Sequence, residues 1–315
     1  MLAENLIPIA GGVASAALTL SVLSGLGGTL VLAYLALLPL FVVAFGWGIR
    51  SGQISALIGA ALTFAFGGLT MGLIYAGTTA VPAWLVNRQA LLGRKLPDGT
   101  AHWYPVGHIL CQLTILGAIV TGAAAIAHMD VPGGFQAAVA SYVDRILSVH
   151  FALPSVADRQ EVAARLVPIL PGATVMSWIL MVTVNAVLAQ GLMVRAGRNR
   201  RPTPAYGTLD LPEWLSWVLV AAAAVTLLAG STLGYTGRNL TMILAMPFFL
   251  SGLGFIHLLA RQLAARGVAL TIVYTIVIFS GWAILAVAGL GMIERWADLR
   301  TRLMARQGQP NEEED

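Results

Sequence analysis

The chain carries no charged side chain between Glu4 and Arg50, and none again between Arg50 and Arg88. In a soluble domain, charged and polar residues cover the solvated faces of the helices. The hydrocarbon core of a bilayer is about 30 Å thick, so each run of roughly 20 apolar residues can cross it as a helix. The sequence therefore predicts an all-α, polytopic integral membrane protein that folds as a helical bundle.

Composition supports this class and excludes others. Of the 315 residues, 58% are hydrophobic and 10% are charged, whereas soluble domains are roughly 25% charged. The net charge of +4 is small and confined to loops, which argues against a nucleic-acid partner and fits the basic bias of cytoplasmic loops. The single cysteine, Cys111, excludes an internal disulfide and a multi-cysteine metal site. The N-terminus lacks a basic region, so we expect the first apolar segment to be retained.

Nine apolar segments predict eight or nine transmembrane helices. Their approximate ranges are 6–23, 29–48, 51–67, 69–90, 105–127, 168–194, 213–232, 239–260 and 268–291. The third segment is short and joins the fourth through Gly67 and Gly68, so a re-entrant or tilted arrangement is an alternative there. We divide the chain into a bundle at 1–194 with an extracytoplasmic loop at 128–167, a basic loop at 195–212, further helices at 213–291, and an amphipathic, acidic tail at 292–315.

Basic residues in short loops predict the orientation. They follow the second, fourth, sixth and eighth segments, and they are Arg50, Arg88, Arg94, Lys95, Arg195, Arg198, Arg200, Arg201, Arg261 and Arg266. If each segment crosses once, these loops share the cytoplasmic face and 128–167 lies outside. The middle of that stretch has the spacing of an amphipathic helix. Its apolar face consists of Phe135, Val139, Tyr142, Val143, Ile146 and Leu147. Nine crossings would put the basic tail outside, so either the tail is an exception or one late segment does not fully cross.

Small residues form a stripe on the third segment. Gly48, Gly52, Ser55, Gly59 and Thr63 repeat at helical spacing, which lets helix backbones approach closely. The stripe indicates tight helix packing, a ligand cavity lined by bare backbone, or both.

Polar side chains at membrane depth are costly, and they usually face a bundle interior or a cavity. Asn185 and Trp178 share one face of the sixth segment, while Gln190 lies on a different face. An amide beside an aromatic ring suits a flat polar ligand, and hydrogen bonding between helices is the alternative. We expect a cavity between the helices of the first half and the sixth segment.

Arg238 and Asn239 lie at the expected start of the eighth segment. An arginine at a helix N-terminus opposes the macrodipole, so it does not serve the helix itself. It predicts either an anion site built with the free amides or an arginine that reaches towards lipid phosphate.

Known catalytic motifs are absent from the sequence. It contains no zinc-protease, serine-hydrolase or phosphate-loop pattern, and no Asp or Glu lies at the centre of a predicted span. The five histidines show no metal-ligand spacing. We therefore expect no catalytic residue, no metal and no cofactor.

Three parts of the chain resemble the YybS-like family of multispanning bacterial membrane proteins, a domain of unknown function. They are 39–60, 185–202 with 237–254, and 289–303. That family is distantly similar to the substrate-binding subunits of energy-coupling-factor vitamin transporters. The resemblance implies that Pro39, Gly46, Gly48, Gly52 and Gly59 help to line a ligand site. Those subunits have about six spans, whereas this chain has three further segments after Arg201, and any ATP would be bound by a partner ATPase.

These observations together predict a substrate-binding or translocating transporter subunit in a bacterial inner membrane. Its partners would be the lipid bilayer, a small hydrophilic or amphipathic ligand, and a membrane or ATPase partner protein. The alternative is a non-transporting scaffold or assembly factor that acts through helix and protein contacts. An intramembrane enzyme is the third hypothesis, since carboxylates and a nucleophile arrangement are missing.

Overall fold

A computed structural model describes residues 2–26, 28–150, 155–207, 209–297 and 299. This part of the chain is almost wholly helical, which confirms the predicted fold class. The helices are α1 (Leu2–Leu20), α2 (Thr29–Tyr34), α3 (Leu37–Trp47), α4 (Ile49–Tyr75), α5 (Val81–Ala90), α6 (Val106–Ala127), α7 (Gly134–His150), α8 (Val156–Leu166), α9 (Leu170–Arg195), α10 (Glu213–Leu228), α11 (Ser231–Ala260), α12 (Arg266–Phe279) and α13 (Gly281–Ala297). Strands β1 (Gly93–Lys95) and β2 (Ala101–Trp103) form an antiparallel hairpin.

Six helical stretches of the described chain are long and apolar enough to cross a membrane. They are Leu6–Ser24, Thr29–Trp47, Ile49–Ala90, Val106–Ala127, Leu170–Arg195 and Thr232–Ala260. The pair formed by α12 and α13 would be a seventh if it counted as one span, although it bends by 119°. Helix α10 has 16 residues and is about 24 Å long, shorter than the hydrocarbon core. The count of eight or nine spans stays a prediction.

The longest stretch, Ile49–Ala90, folds back on itself at Gly68. This glycine has φ 77° and ψ −178°, a left-handed backbone that side chains rarely adopt. Beyond it the chain reverses, because Tyr75 lies against Gly59 and Asn87 lies against Gly52. The two arms are therefore antiparallel, and they meet at the Gly67–Gly68 pair that separates the third and fourth predicted segments.

The chain folds into two compact units, of which the first comprises residues 1–113 and 177–204. In this unit, α1 packs along α4 and α3. The Ser55 hydroxyl donates a hydrogen bond of 2.8 Å to the Pro8 carbonyl across the α1–α4 contact. Apolar side chains of α3, α5, the first turns of α6 and the second half of α9 form one buried core. The core includes Leu40, Phe41, Val86, Leu113 and Val182.

The second unit comprises residues 114–176 and 205–315. Helix α11 lies at its centre and contacts α7, α10, α12 and α13. Glycines let two of these helices approach backbone to backbone, with Gly252 of α11 against Val287 and Gly291 of α13 against Phe248. Phe135, from α7, packs on Tyr235 of α11 with ring centroids 5.7 Å apart.

The polar stretch at 128–167 contains two helices rather than one. The predicted amphipathic helix is α7, whose Phe135, Val143 and Leu147 are buried in the second unit. Tyr142 was expected on the same face but is 60% exposed. Helix α8 follows, and the Ser155 hydroxyl caps it by accepting a 3.1 Å hydrogen bond from the Asp158 amide.

Two late helix boundaries differ from the prediction. Helix α11 begins at Ser231, so the expected start near Asn239 was wrong by two helical turns. The predicted segment 268–291 is not a single straight helix, since it breaks at Ser280 between α12 and α13. The part of the predicted amphipathic tail from 300 onward lies outside the described residues.

Candidate functional site

The first unit contains a cluster of arginines and tryptophans where α3, α5 and α9 end. Helix α9 ends because Gly197 adopts a left-handed φ of 63°, and the Arg198 amide then donates a 2.9 Å hydrogen bond back to the Met193 carbonyl. Only a residue without a β-carbon takes this conformation at little cost. The turn directs the segment Arg198–Arg201 back across the ends of α3 and α5.

Arg201 is buried and holds the end of α5. Its guanidinium donates hydrogen bonds of 3.0 Å to the Ala90 carbonyl and 3.0 Å to the Tyr104 carbonyl, and it lies 5.8 Å from the Trp103 ring centre. Ala90 is the last residue of α5, so this cation satisfies a carbonyl that the helix leaves free. It also lies at the negative end of the helix dipole, where a positive charge is stabilising. The Gln190 amide fixes the loop by donating to the Arg201 carbonyl at 2.8 Å. Arg201 therefore has a structural role.

Arg200 lies at the end of α3, and only the Nε of its guanidinium has a hydrogen bond among the described residues. Its backbone amide donates to the Phe45 carbonyl at 3.1 Å, and its Nε donates to the Gly46 carbonyl at 3.3 Å. The guanidinium carbon lies 3.2 Å from where a β-carbon on Gly48 would be. Gly48 also has a φ of 100°. Both this backbone conformation and the close approach of the Arg200 guanidinium favour a residue without a β-carbon. Arg198 stacks next to it, 5.4 Å from the Trp47 ring centre.

These residues border an open cavity of about 440 Å³, which we call the arginine–tryptophan cavity. It is lined by Trp47, Gly48, Ile49, Arg50, Leu91, Trp103 and Arg200. In the part of the chain that the structure describes, the Arg50 guanidinium has no hydrogen bond or ion pair. Two cations and two indole rings are therefore directed at a space large enough for a small molecule.

The charge around the cavity is strongly one-sided. The first unit contains eight basic residues but only two acidic ones, Glu4 and Asp98. The Asp98 carboxylate accepts hydrogen bonds of 2.6 Å and 2.9 Å from the Thr100 hydroxyl and amide. These two bonds lower the pKa of Asp98 and hold its carboxylate within the β1–β2 turn. The cavity can thus stabilise an anion through charge-assisted hydrogen bonds and bind an aromatic ring on its tryptophans.

The model of a family described as predicted membrane protein (DUF2232) matches residues 13–294. The match covers most of both units and every residue that lines the arginine–tryptophan cavity. The chain belongs to the DUF2232 family. No curated protein and no solved structure matches it.

In this DUF2232 protein, the predicted ligand residues Asn185 and Trp178 both contact neighbouring helices. The Asn185 amide donates hydrogen bonds of 2.7 Å to the Tyr34 carbonyl and 2.8 Å to the Met181 carbonyl. The Trp178 indole donates a 2.9 Å hydrogen bond to the Thr78 carbonyl. Asn185 is buried, and its Oδ1 has no partner among the described residues.

Three other predicted site residues pack within the first unit. The Gln190 amide donates a hydrogen bond to the Arg201 carbonyl and thereby holds the loop that carries Arg200. Pro39 lies in the first turn of α3, where the missing amide hydrogen costs nothing, and its carbonyl faces Gly11 of α1. Gly52 lies against Ala44 and Asn87. None of these three residues lines the cavity, and neither do Asn185 and Trp178, whereas Gly48 does.

Arg238 and Asn239 belong to the second unit and do not form the predicted pair. Since α11 begins at Ser231, Arg238 is two turns inside the helix, and the premise of an N-terminal arginine was wrong. Arg238 borders a smaller cavity of about 270 Å³. Asn239 is fully buried: its Oδ1 accepts from the Gly172 amide at 2.8 Å and its Nδ2 donates to the Tyr235 carbonyl at 2.9 Å. Asn239 therefore joins helices.

Trp47, Trp103 and Asn87 are not among the predicted site residues. Trp47 and Arg50 stand three apart at one predicted loop, and Arg198, Arg200 and Arg201 stand at another on the same predicted face. That coincidence is a signal for a shared basic site, although nothing in the sequence brings Trp103 to it. Among the described residues, no three His, Cys, Asp or Glu side chains come together as a metal site.

Proposed function

We propose that this membrane protein is a substrate-binding or translocating transporter subunit whose ligand is a small aromatic anion. The observation that carries the proposal is the arginine–tryptophan cavity, in which Arg50 and Arg200 face Trp47 and Trp103 and no carboxylate is among the described residues that line it. A guanidinium pairs well with a carboxylate, sulfonate or phosphate, and an indole face packs against a flat ring. The ligand is bound at the basic end of the helices, and the basic bias of cytoplasmic loops supports a cytoplasmic position for this end.

The resemblance to the YybS-like family and to the substrate-binding subunits of energy-coupling-factor transporters supports the same proposal. In those subunits the second and third helices help to line the ligand site, and here Trp47, Gly48 and Arg50 lie at the junction of α3 and α4. A bacterial inner membrane is the proposed location. Energy for transport would come from a partner ATPase, and we propose no catalytic role and no nucleic-acid partner for this chain.

One observation favours the alternative of a non-transporting scaffold. The buried amides of Asn185, Gln190 and Asn239 bond to backbone carbonyls or amides of neighbouring segments rather than to a cavity. Such bonds fix helices relative to one another and serve a rigid assembly platform as well as a transporter.

Binding of benzenesulfonate to the purified protein in phosphatidylcholine nanodiscs tests the proposal. This anion stays charged and does not cross a bilayer by itself, so vesicle uptake can be measured with the same compound. We expect saturable binding by calorimetry, weakened roughly tenfold or more in Arg200→Gln and in Arg50→Gln because each loses a charge-assisted bond. Arg94→Gln removes an exposed cation outside the cavity and should bind like the parent.

The outcomes separate the candidate functions. Saturable binding with uptake into vesicles supports a translocating subunit, and binding without uptake supports a substrate-binding subunit that needs its partner. A folded protein that neither binds nor transports benzenesulfonate contradicts the proposal and favours the scaffold. Adding phosphatidylglycerol to the nanodiscs identifies the source of the anion, since a site for lipid headgroups would then lose benzenesulfonate.

A further inference from the structure

Asn87, on α5, has a buried amide group without a partner. The side chain is 1% exposed, and neither its Nδ2 nor its Oδ1 makes a hydrogen bond among the described residues. Buried polar side chains nearly always have a partner, and an exception calls for a bound water or ligand, or for a functional reason. At membrane depth an amide without a partner is especially costly.

The backbone places Asn87 directly beneath the arginine–tryptophan cavity. The Leu91 amide donates a 3.3 Å hydrogen bond to the Asn87 carbonyl, and the Gly52 amide donates a 3.1 Å hydrogen bond to the Gly48 carbonyl. Leu91 and Gly48 both line the cavity. Asn87 and Gly52 therefore lie one helical turn, about 5.4 Å, further into the unit.

Small residues border the Asn87 amide on the side of α4 and α3. Its Nδ2 lies 3.0 Å from the position that a β-carbon on Gly52 would take, and the Ala44 β-carbon lies 2.6 Å from the same position. Leu91 shares the Asn87 face of the helix, four residues on, and is only partly buried. Leu91 is therefore the cavity-lining residue that comes next to Asn87 along this face of α5.

We infer that Asn87 is an inner subsite for the ligand of the arginine–tryptophan cavity and that it binds an uncharged hydrogen-bonding group. This inference rests on the proposed function and narrows its substrate class. The ligand is an aromatic anion that carries a hydroxyl, amide or ring carbonyl at the end opposite its acid group. An asparagine amide has both a donor and an acceptor, so it pairs with any of these groups.

Two probes that differ by one hydroxyl test the inference. Benzenesulfonate and 4-hydroxybenzenesulfonate share the charge and the ring, and the para hydroxyl lies at the end away from the sulfonate. For the parent protein in phosphatidylcholine nanodiscs, calorimetry should give roughly tenfold tighter binding of the hydroxylated probe, because it gains one buried hydrogen bond. 4-Fluorobenzenesulfonate fills the same position without that bond and should bind like benzenesulfonate.

Asn87→Leu keeps the approximate volume of the side chain and removes the amide, so it should abolish the tenfold preference for the hydroxylated probe. Gln89→Leu removes an amide from a different face of the same helix and should keep the preference. Should Asn87→Leu fail to fold, Asn87→Ser gives the same test with a smaller side chain, and it should reduce the preference.

The possible results distinguish this inference from the function on which it rests. Equal binding of the two probes by the parent, or a preference that survives in Asn87→Leu, overturns the inner subsite. The proposed function survives that result if benzenesulfonate binding still depends on Arg200. Absence of binding by either probe contradicts the proposed function itself, and the inner subsite with it.

Discussion

The Tyr75 hydroxyl occupies the space that a side chain on Gly59 would need. The two residues lie on opposite arms of the α4 hairpin, and the same hydroxyl forms a 2.7 Å hydrogen bond with the Ser15 hydroxyl of α1. Ser15 in turn donates a 2.7 Å hydrogen bond to the Ala36 carbonyl. Because Gly59 has no side chain, the Tyr75 hydroxyl can take part in a buried chain of hydrogen bonds. This chain joins α4, α1 and the residue that precedes α3.

Gly59→Ala and Gly59→Leu should destabilise the protein. A methyl group at this position collides with Tyr75, and overpacking of a tight interior costs about 1–3 kcal/mol of the free energy of unfolding. The measurement is the thermal unfolding midpoint in detergent or nanodiscs. Tyr75→Phe removes the colliding hydroxyl, so the double variant should be more stable than the sum of the two single effects predicts.

Gly191→Leu provides the matched control. A β-carbon on Gly191 of α9 meets no atom within 4 Å, so this variant should express and unfold like the parent. A Gly59→Leu protein as stable as the Gly191→Leu protein would show that the small-residue stripe of α4 faces lipid.

Gly52→Leu should also destabilise the first unit, for a related reason. A β-carbon at this position would lie 2.6 Å from the Ala44 β-carbon, closer than packed carbons can approach. Gly52→Ala should lower the thermal unfolding midpoint by a smaller amount. Adding Ala44→Gly to this variant should recover part of that loss, because it removes the β-carbon that the new methyl group collides with. If the double variant unfolds at the same temperature as Gly52→Ala alone, the contact between α3 and α4 is not the reason that residue 52 must be small.

Arg201→Met should destabilise the protein more than any change at Arg200. The variant leaves the Ala90 and Tyr104 carbonyls without their 3.0 Å partners, and an unsatisfied buried acceptor costs about 1–3 kcal/mol. Arg201→Lys should recover only part of the loss, since an ammonium group lacks the planar fork that reaches two carbonyls. Thermal unfolding checks both variants, and Arg94→Met serves as the exposed control.

The apolar segments predicted from the sequence correspond well to the helices, for a physical reason. Hydrophobic length alone determines where a chain can cross a bilayer, so ranges such as 105–127 and 168–194 agree with α6 and α9 within two residues. The Gly67–Gly68 junction was also identified, because paired glycines are a local signal of a break. The break at Ser280 also has a local signal, since Ser280 and Gly281 form a pair typical of turns. It lies within one continuous apolar run, however, and the bend between α12 and α13 was not predicted.

The cavity could be predicted only in part. Arg50, Arg198, Arg200 and Arg201 were assigned to one face by charge. The burial of Arg201 against α5 depends on tertiary packing that no local pattern encodes. Conversely, the amides chosen for their cost at membrane depth, Asn185 and Asn239, bond to backbone atoms of neighbouring segments, although the Asn185 Oδ1 has no partner among the described residues. A polar residue in a span predicts a partner, and the sequence does not say which.

Asn185→Ala should lower stability and leave ligand affinity unchanged. Its Nδ2 bonds to the Tyr34 carbonyl, and hydrogen bonds between helices in membranes contribute about 0.6 kcal/mol on average and up to about 1.7 kcal/mol. Thermal unfolding and benzenesulfonate calorimetry on the same variant check both statements. Unchanged stability with lost binding would instead identify Asn185 as a ligand residue.

The orientation of the first unit decides which side of the membrane the arginine–tryptophan cavity faces. The basic loop at 195–201 predicts the cytoplasm, and the stretch 144–161 predicts the outside.

Cys111 is buried and is the one cysteine of the chain, so Cys111→Ser gives a background without thiols. On it, Ser148→Cys in α7 and Ala196→Cys after α9 each place one exposed thiol. A membrane-impermeant maleimide should label Ser148→Cys in intact cells and Ala196→Cys only after the cells are permeabilised. The reverse pattern would contradict this topology and place the cavity at the outer surface.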